Sequence, residues 1–265
     1  MGGKAARNEA GTGDVGTIER AVQLMKHMAT AGRRGLPLTR LAADTGLPYS
    51  TVHRLLQRLI QQRMVVQKEA NKRYLLGPLA FELGVAASMS FDLREPCRRY
   101  LLPLAEEVGD TVYLTVRSGA DAVCLDRYEG PSPVRVLTLE VGSRRPLGLG
   151  AGGLAMLAFL PEEEREGMIV GLAAAGGQAK GGLSESELRT AVARCRKNGY
   201  AFIRNQVNPG VSAVGVPLFD SLDQPIAAIS VAAIDGRMGP ARIQSLAAIL
   251  QTRARAIRKA LNAGG

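Results

Sequence analysis

The sequence predicts an α+β fold in two parts, an N-terminal winged helix-turn-helix and, behind a connecting helix, a larger domain built on an antiparallel sheet. Three observations predict it. Between Thr17 and Leu76, apolar residues recur at helical spacing in three segments and then give way to two short β-prone runs. The positive charge is concentrated in that same stretch. Beyond it, strands joined by tight turns are interspersed with amphipathic helices, the pattern of hairpin-paired sheets.

The first helix is TIERAVQLMKHMATA, with Ile18, Ala21, Val22, Leu24, Met25 and Met28 on one face and GRRG ending it. Thr39 is expected to cap a second, short helix closed by Gly46. Pro48 is expected in the first turn of a third helix, PYSTVHRLLQRLIQQ. On that helix Val52, Leu55, Leu56 and Leu59 form the core stripe. Ser50, Arg54 and Gln57 lie opposite, flanked by Thr51, His53 and Arg58. Short hydroxyls, an amide and guanidinium groups are the side chains that reach base edges and phosphates in a major groove. The runs VVQ and RYLL, separated by KEANK, read as a hairpin whose Lys68, Lys72 and Arg73 are placed as a wing against a DNA backbone.

Charge supports that assignment. From Val15 to Leu76 eleven Lys/Arg face three Asp/Glu, a net +8, whereas residues 77–265 carry twenty-one against nineteen, a net +2. A basic module joined to a near-neutral one implies a polyanion for the first and a different task for the second.

The rest of the composition excludes other classes. A chain of 265 residues with 46% hydrophobic and 22% charged residues is of ordinary globular balance, and it contains no apolar run of membrane-spanning length. Residues up to Asp14 are small and polar, so a disordered tail and a cytoplasmic setting are expected. Cys97, Cys124 and Cys195 are widely spaced with no C-x-x-C pair, and the only histidines are His27 and His53. Neither metal nor cofactor is expected. The motifs G-x-S-x-G, H-E-x-x-H and G-x-x-x-x-G-K-[ST] are missing, so the chain does not read as an enzyme.

Behind Gly77, PLAFELGVAASMS is taken as a connecting helix over 77–92, apolar enough to be buried against a second subunit. The remaining domain, 93–265, begins with a helix from Arg94 to Val108. Strands are expected at TVYLTVR, AVCLDRYE and VRVLTLE, and at Tyr200–Arg204, Ser212–Phe219 and Ile226–Ala233. Helices are expected at Ala151–Phe159, Pro161–Ala174, Ser184–Asn198 with a capping box, and Pro240–Leu261.

One stretch, GLGAGG at Gly148–Gly153, matches the spelling of the dinucleotide-binding G-x-G-x-x-G. Its context argues otherwise: Arg144, Arg145 and Pro146 interrupt the approach, and a second helix follows where a parallel strand is required. Two uses remain. The glycines either let a helix pack closely, or they open a helix start whose Ala151 and Gly152 N–H groups accept an anion.

The pieces TIERAVQLM, LTRLAADTGLPYSTVHRLLQRL, YLLGPLAFELG, RRPLGLGAGGLAMLAFLP and PGVSAVGVPLFDSLDQPIAAISVA resemble the IclR-type family of bacterial transcriptional regulators over nearly the whole chain. The resemblance implies a GAF-like C-terminal domain that binds a small effector. It also implies a homodimer, often assembled as a dimer of dimers, whose third helices enter the major grooves of a double-stranded operator. The DNA-contact set is then Thr39, Tyr49, Ser50, Thr51, His53, Arg54, Gln57 and Arg58, with Lys68, Lys72 and Arg73 from the wing.

For the effector, the resemblance points to Gly150, Ala151 and Gly152. Positions that are polar in relatives taking short polar acids are Ile203, Ala213, Ser230 and Ala232 here, and Ser230 alone retains a polar group. A largely apolar or aromatic carboxylate is therefore expected, with Val134, Leu137, Val211 and Ala213 as walls and Arg145 or Arg204 as a source of charge. The alternatives are a DNA-binding regulator of central or small-acid metabolism and a DNA-binding protein without a ligand.

Overall fold

The computed structural model describes residues 16–91, 93–176 and 182–263, so the tail expected up to Asp14 lies outside the described residues. The chain divides into two compact units, Met1–Ala86 and Ala87–Gly265.

The first unit contains α1 (Thr17–Ala31), a 3-10 turn (Gly32–Arg34), α2 (Leu38–Thr45), α3 (Tyr49–Gln61), and the hairpin β1 (Val65–Gln67) and β2 (Tyr74–Leu76). Helix α4 (Pro78–Phe91) follows and runs across the boundary. Leu24 and Met28 of α1, Leu38 and Leu41 of α2, Val52, Leu55 and Leu56 of α3, and Val65 and Tyr74 of the hairpin form one core, with Leu59 packed at its edge. The apolar stripe of α3 therefore faces inward as its spacing requires. Two local expectations are corrected. Thr39 does not cap α2: Pro37 holds the N-cap position and no side chain caps the helix, because α2 starts at Leu38, two residues before the Arg40 start that a Thr39 cap requires. Pro48 is the N-cap of α3 and not a first-turn residue, its ψ of 140° being extended.

The second unit is a three-layer sandwich. Its strands are β3 (Thr111–Ser118), β4 (Asp121–Tyr128), β5 (Arg144–Pro146), β6 (Ala201–Arg204), β7 (Val211–Phe219) and β8 (Pro225–Ile234). They form one sheet in the order β5-β4-β3-β8-β7-β6, and every pairing is antiparallel. On one face, α5 (Arg94–Val108) and α9 (Pro240–Ala263) cover Val112, Leu114, Val214, Val216, Ile229 and Val231. On the other lie α6 (Ala151–Ala158), α7 (Glu162–Gly176) and α8 (Glu185–Asn198), over smaller residues: Ala122, Ala213, Ala228 and Ala232. Strand alternation thus places mostly branched aliphatic side chains on the α5/α9 face and, Tyr113 apart, mostly small ones on the α6 face. Ser184 and Glu187 form the expected capping box on α8.

The segment VRVLTLE is not a strand, and the expectation there fails. Its main chain is held by side chains in place of a ladder. The Tyr113 hydroxyl donates to Val136 O and accepts from the Thr138 N–H, Arg145 donates to Thr138 O, and Arg127 Nη1 donates to Leu139 O at 3.1 Å. The edge strand β5 is instead built from the Arg-Arg-Pro triplet that was expected to interrupt. It is antiparallel to β4, so the glycines that follow do not sit in a parallel β-α-β unit. Among the described residues no helix is long and apolar enough to cross a membrane.

Candidate functional site

In the first unit, the outer face of α3 is free. Tyr49, Ser50, His53, Arg54, Gln57 and Arg58 are exposed, Thr51 is half-buried, and none of them hydrogen-bonds or ion-pairs through its side chain with another described residue. This contrasts with Arg40 and Arg63, which are paired with Asp44 and Glu82. Thr39 is exposed in the first turn of α2. On the hairpin, Lys72 is exposed with its backbone in the left-handed region, φ 54°. Lys68 and Arg73 are partly committed: Lys68 Nζ donates to Arg33 O at 2.9 Å and Arg73 Nη1 to Gly35 O at 3.1 Å.

In the second unit, the start of α6 borders an open cavity of about 50 Å3 lined from all six strands of the sheet, the segment before β5 and the loops that precede α6 and β7. Gly150, Ala151, Gly152, Val211, Ala213 and Ser230 line it, as the sequence places them. Val134 and Leu137 do not. They are 53% and 49% exposed, because the segment carrying them turns Val136 inward instead. Tyr113, Thr115, Leu139, Leu149, Ile203 and Val207 complete most of the wall, alongside Arg145 and Asn208.

The glycines let α6 pack closely on the sheet and leave its start uncapped. Gly150, at φ 92°, is the N-cap of α6, and no side chain caps the helix. A Cβ on Gly152 would lie 2.5 Å from Thr115 Oγ1, and one on Gly215 of β7 would lie 2.8 Å from the Ala151 carbonyl oxygen. The helix start therefore rests directly on the sheet at the edge of the cavity, and its first N–H groups lack intrahelical acceptors.

Arg145 lines this cavity. Its Nη1 lies 3.9 Å from the point where a Cβ on Gly150 would stand. One nitrogen donates to Thr138 O, and no carboxylate among the described residues pairs with the guanidinium. Burial lowers its proton affinity below the usual arginine range, while Tyr113 and Cys124 act the other way. Arg204, by contrast, is ion-paired with Asp235 at 2.8 Å and is not on the cavity wall. Of the other polar groups, the Tyr113 hydroxyl is engaged as above and Thr115 Oγ1 with Ala228 O at 3.3 Å, whereas the side chains of Ser230 and Asn208 have no partner among the described residues.

The segment between β6 and β7 closes the cavity on one side through Val207, Asn208 and Val211. Asn205, at φ 56°, accepts from the Gly210 N–H at 2.7 Å, and Gln206 Nε2 donates to Gly148 O at 3.2 Å, tying the segment to the glycine stretch. Cys124 and Cys195 are buried in the core on this side of the sheet, and burial pushes both thiols up to about 12.

Comparisons with known proteins agree across both units. The IclR helix-turn-helix domain matches residues 17–69, and the bacterial transcriptional regulator IclR C-terminal domain matches residues 85–259. The chain is 30% identical over 214 residues to the HTH-type transcriptional regulator KipR of Bacillus subtilis, covering 80% of this chain and 84% of that one. Among solved structures, an IclR transcriptional regulator from Silicibacter sp. TM1040 superposes with a TM-score of 0.78 at 25% identity, over 93% of this chain and 96% of that one. An IclR homolog from Microbacterium hydrocarbonoxydans complexed with 4-hydroxybenzoate gives a TM-score of 0.68 at 22% identity, over 94% and 100%.

Proposed function

Because the chain belongs to the IclR family of bacterial transcriptional regulators and so is a DNA-binding regulator, we propose that a small, largely apolar carboxylate bound at the start of α6 governs its hold on operator DNA. The observation that carries this reading is Arg145, a cavity-lining guanidinium with no acidic partner among the described residues, standing beside the uncapped start of α6. A carboxylate there gains a charge-assisted donor and backbone N–H groups together. The rest of the wall is mostly apolar, Leu139, Leu149, Ile203, Val207, Val211, Ala213 and Ala232, with Ser230 and Asn208 able to meet one further polar group, so a short acid that is polar throughout would be desolvated with too few partners.

At about 50 Å3 the cavity takes a short-chain acid as it stands. An engineered apolar cavity that binds benzene is about 150 Å3. A ring-bearing acid therefore requires the Asn205–Gly210 segment to swing outward, breaking the Gln206–Gly148 hydrogen bond. On the DNA side, a homodimer presents two α3 helices to successive major grooves of a roughly palindromic site, with Ser50, Thr51, Arg54 and Gln57 facing the bases and Lys72 and Arg58 the phosphates. Effector binding shifts the spacing of the paired heads.

Isothermal titration of the full chain with butyrate, benzoate, 4-hydroxybenzoate, glyoxylate and pyruvate tests the ligand class. The first three are expected to bind and the last two not, and Arg145→Gln is expected to weaken binding roughly 10- to 100-fold, as loss of a charged hydrogen bond does. Binding of glyoxylate or pyruvate with indifference to the other acids overturns the proposal.

A further inference from the structure

The turn between α1 and α2 bears two consecutive arginines, and it is docked on the wing. Leu36 and Tyr74 exchange both backbone hydrogen bonds, at 3.0 and 2.8 Å. Lys68 Nζ and Arg73 Nη1 reach across from the hairpin to the carbonyls of Arg33 and Gly35. Gly32 and Gly35 bracket the turn at φ 49° and 62°, and a Cβ on the buried Gly35 would lie 2.8 Å from Tyr74 O. The main chain of the turn is thus fixed to the hairpin by groups other than the Arg33 and Arg34 side chains.

Those two side chains are exposed, and neither hydrogen-bonds nor ion-pairs with another described residue. Together with Lys68, Lys72 and Arg73 they make five cations on one docked unit, against the single acid Glu69 in the hairpin loop. Adjacent guanidinium groups held on a fixed turn repel each other, and a polyanion relieves that repulsion. The patch is continuous with the hairpin that a winged helix lays along the DNA backbone.

We propose that the Gly32–Gly35 turn is a second backbone-gripping element, in which Arg33 and Arg34 hold phosphates beside those met by the wing. Lys68 and Arg73 then act chiefly as struts that place the turn, and the wing contact becomes a two-part clamp of Lys72 on one side and the arginine pair on the other. Such contacts carry no base information and act on every sequence alike.

The test uses the full chain and a labelled duplex of mixed sequence, with affinity read by fluorescence anisotropy over a series of salt concentrations. For B-DNA the log–log salt slope changes by about 0.9 for each phosphate contact removed. Arg33→Ala/Arg34→Ala is expected to flatten the slope by about 1.8 per bound protomer, while Arg33→Lys/Arg34→Lys, which keeps both charges, restores most of it. Lys72→Ala gives the size of a single wing contact in the same assay. A wild-type slope in the double alanine variant overturns the proposal, as does a lysine variant as flat as the alanine one. Because the turn is tied down through its backbone, circular dichroism is expected to report the same fold for all three variants.

Discussion

Tyr113 and Arg145 hold the two sides of one residue, Thr138: the tyrosine hydroxyl accepts from its N–H at 3.1 Å, and the arginine donates to its carbonyl. The same hydroxyl donates to Val136 O, so a strandless stretch of backbone is fixed to the cavity wall by one phenol and one guanidinium. Tyr113→Phe leaves a buried carbonyl and an N–H without their partner, at a cost of about 1–3 kcal/mol. Urea melts are expected to show a lower midpoint with an unchanged m-value, and amide exchange to quicken at residues 136–139. A midpoint equal to wild type refutes the assigned role.

The base and phosphate contacts proposed for the first unit are separable by mutation. Arg54→Ala is expected to lose about 1–3 kcal/mol against the operator and much less against unrelated duplex, whereas Lys72→Ala lowers affinity for both alike. Competition anisotropy with the two duplexes distinguishes them. Equal losses from Arg54→Ala on both duplexes show that it meets only phosphate.

Close approach of α6 to the sheet makes a coupled pair. Gly152→Ala drives a methyl to within 2.5 Å of Thr115 Oγ1 and is expected to destabilise by about 1–3 kcal/mol. Thr115→Ala removes the obstructing oxygen and, on its own, costs only the long bond to Ala228 O. The double variant is expected to recover about 0.5 kcal/mol or more relative to the sum of the singles. Strict additivity in thermal or urea unfolding contradicts the contact.

Asp110 is an asymmetric ion site. Its side chain is 2% exposed and meets Arg237 at 3.0 Å and Arg242 at 3.2 Å, while both arginines are more than a third exposed. Removing the arginines strands a buried carboxylate, whereas removing the carboxylate leaves cations that water screens. Arg237→Ala/Arg242→Ala is therefore expected to cost more than Asp110→Asn, with a Tm ordering of wild type, then Asp110→Asn, then the double variant. The reverse order of the two variants excludes this account.

The thiols give a pH dependence. An unfolded cysteine ionises near pH 8.5, but in the native state Cys124 and Cys195 stay protonated up to about 12. Between those values the unfolded chain loses protons that the folded chain keeps, so stability falls as pH rises and is unaffected by the thiols below that window. Cys124→Ala/Cys195→Ala is expected to flatten the decline in urea midpoint between about pH 9 and 11. An identical decline in the variant removes the thiols as its cause.

What the sequence makes legible is what local periodicity controls. The stripe Val52, Leu55, Leu56 and the Ser184–Glu187 box are both found in place, since each depends only on neighbours along one helix. The alternation in VRVLTLE misleads because a strand also needs a backbone partner, and here the partners are side chains from β3, β4 and β5. Strand β5 escapes notice because three residues, Arg-Arg-Pro, owe their conformation wholly to the edge of β4. Val211, Ala213 and Ser230 do line the cavity, while finding Tyr113 there requires knowledge that β3 pairs with β8. Sequence alone leaves Arg145 and Arg204 level as sources of charge; in the fold Arg145 lines the cavity and Arg204 is ion-paired with Asp235.

The central pairing of β3 with β8, Thr111 opposite Ala232, joins the first strand of the second unit to its last. Tyr113 and Ser230 face each other in that register and both line the cavity. A ribosome making this chain from its N-terminus therefore completes α3 and the wing long before the last wall of the cavity exists. On the proposed reading, sensing arrives after gripping in the order of synthesis, and a chain interrupted before β8 carries the helix-turn-helix without the strand that completes the cavity.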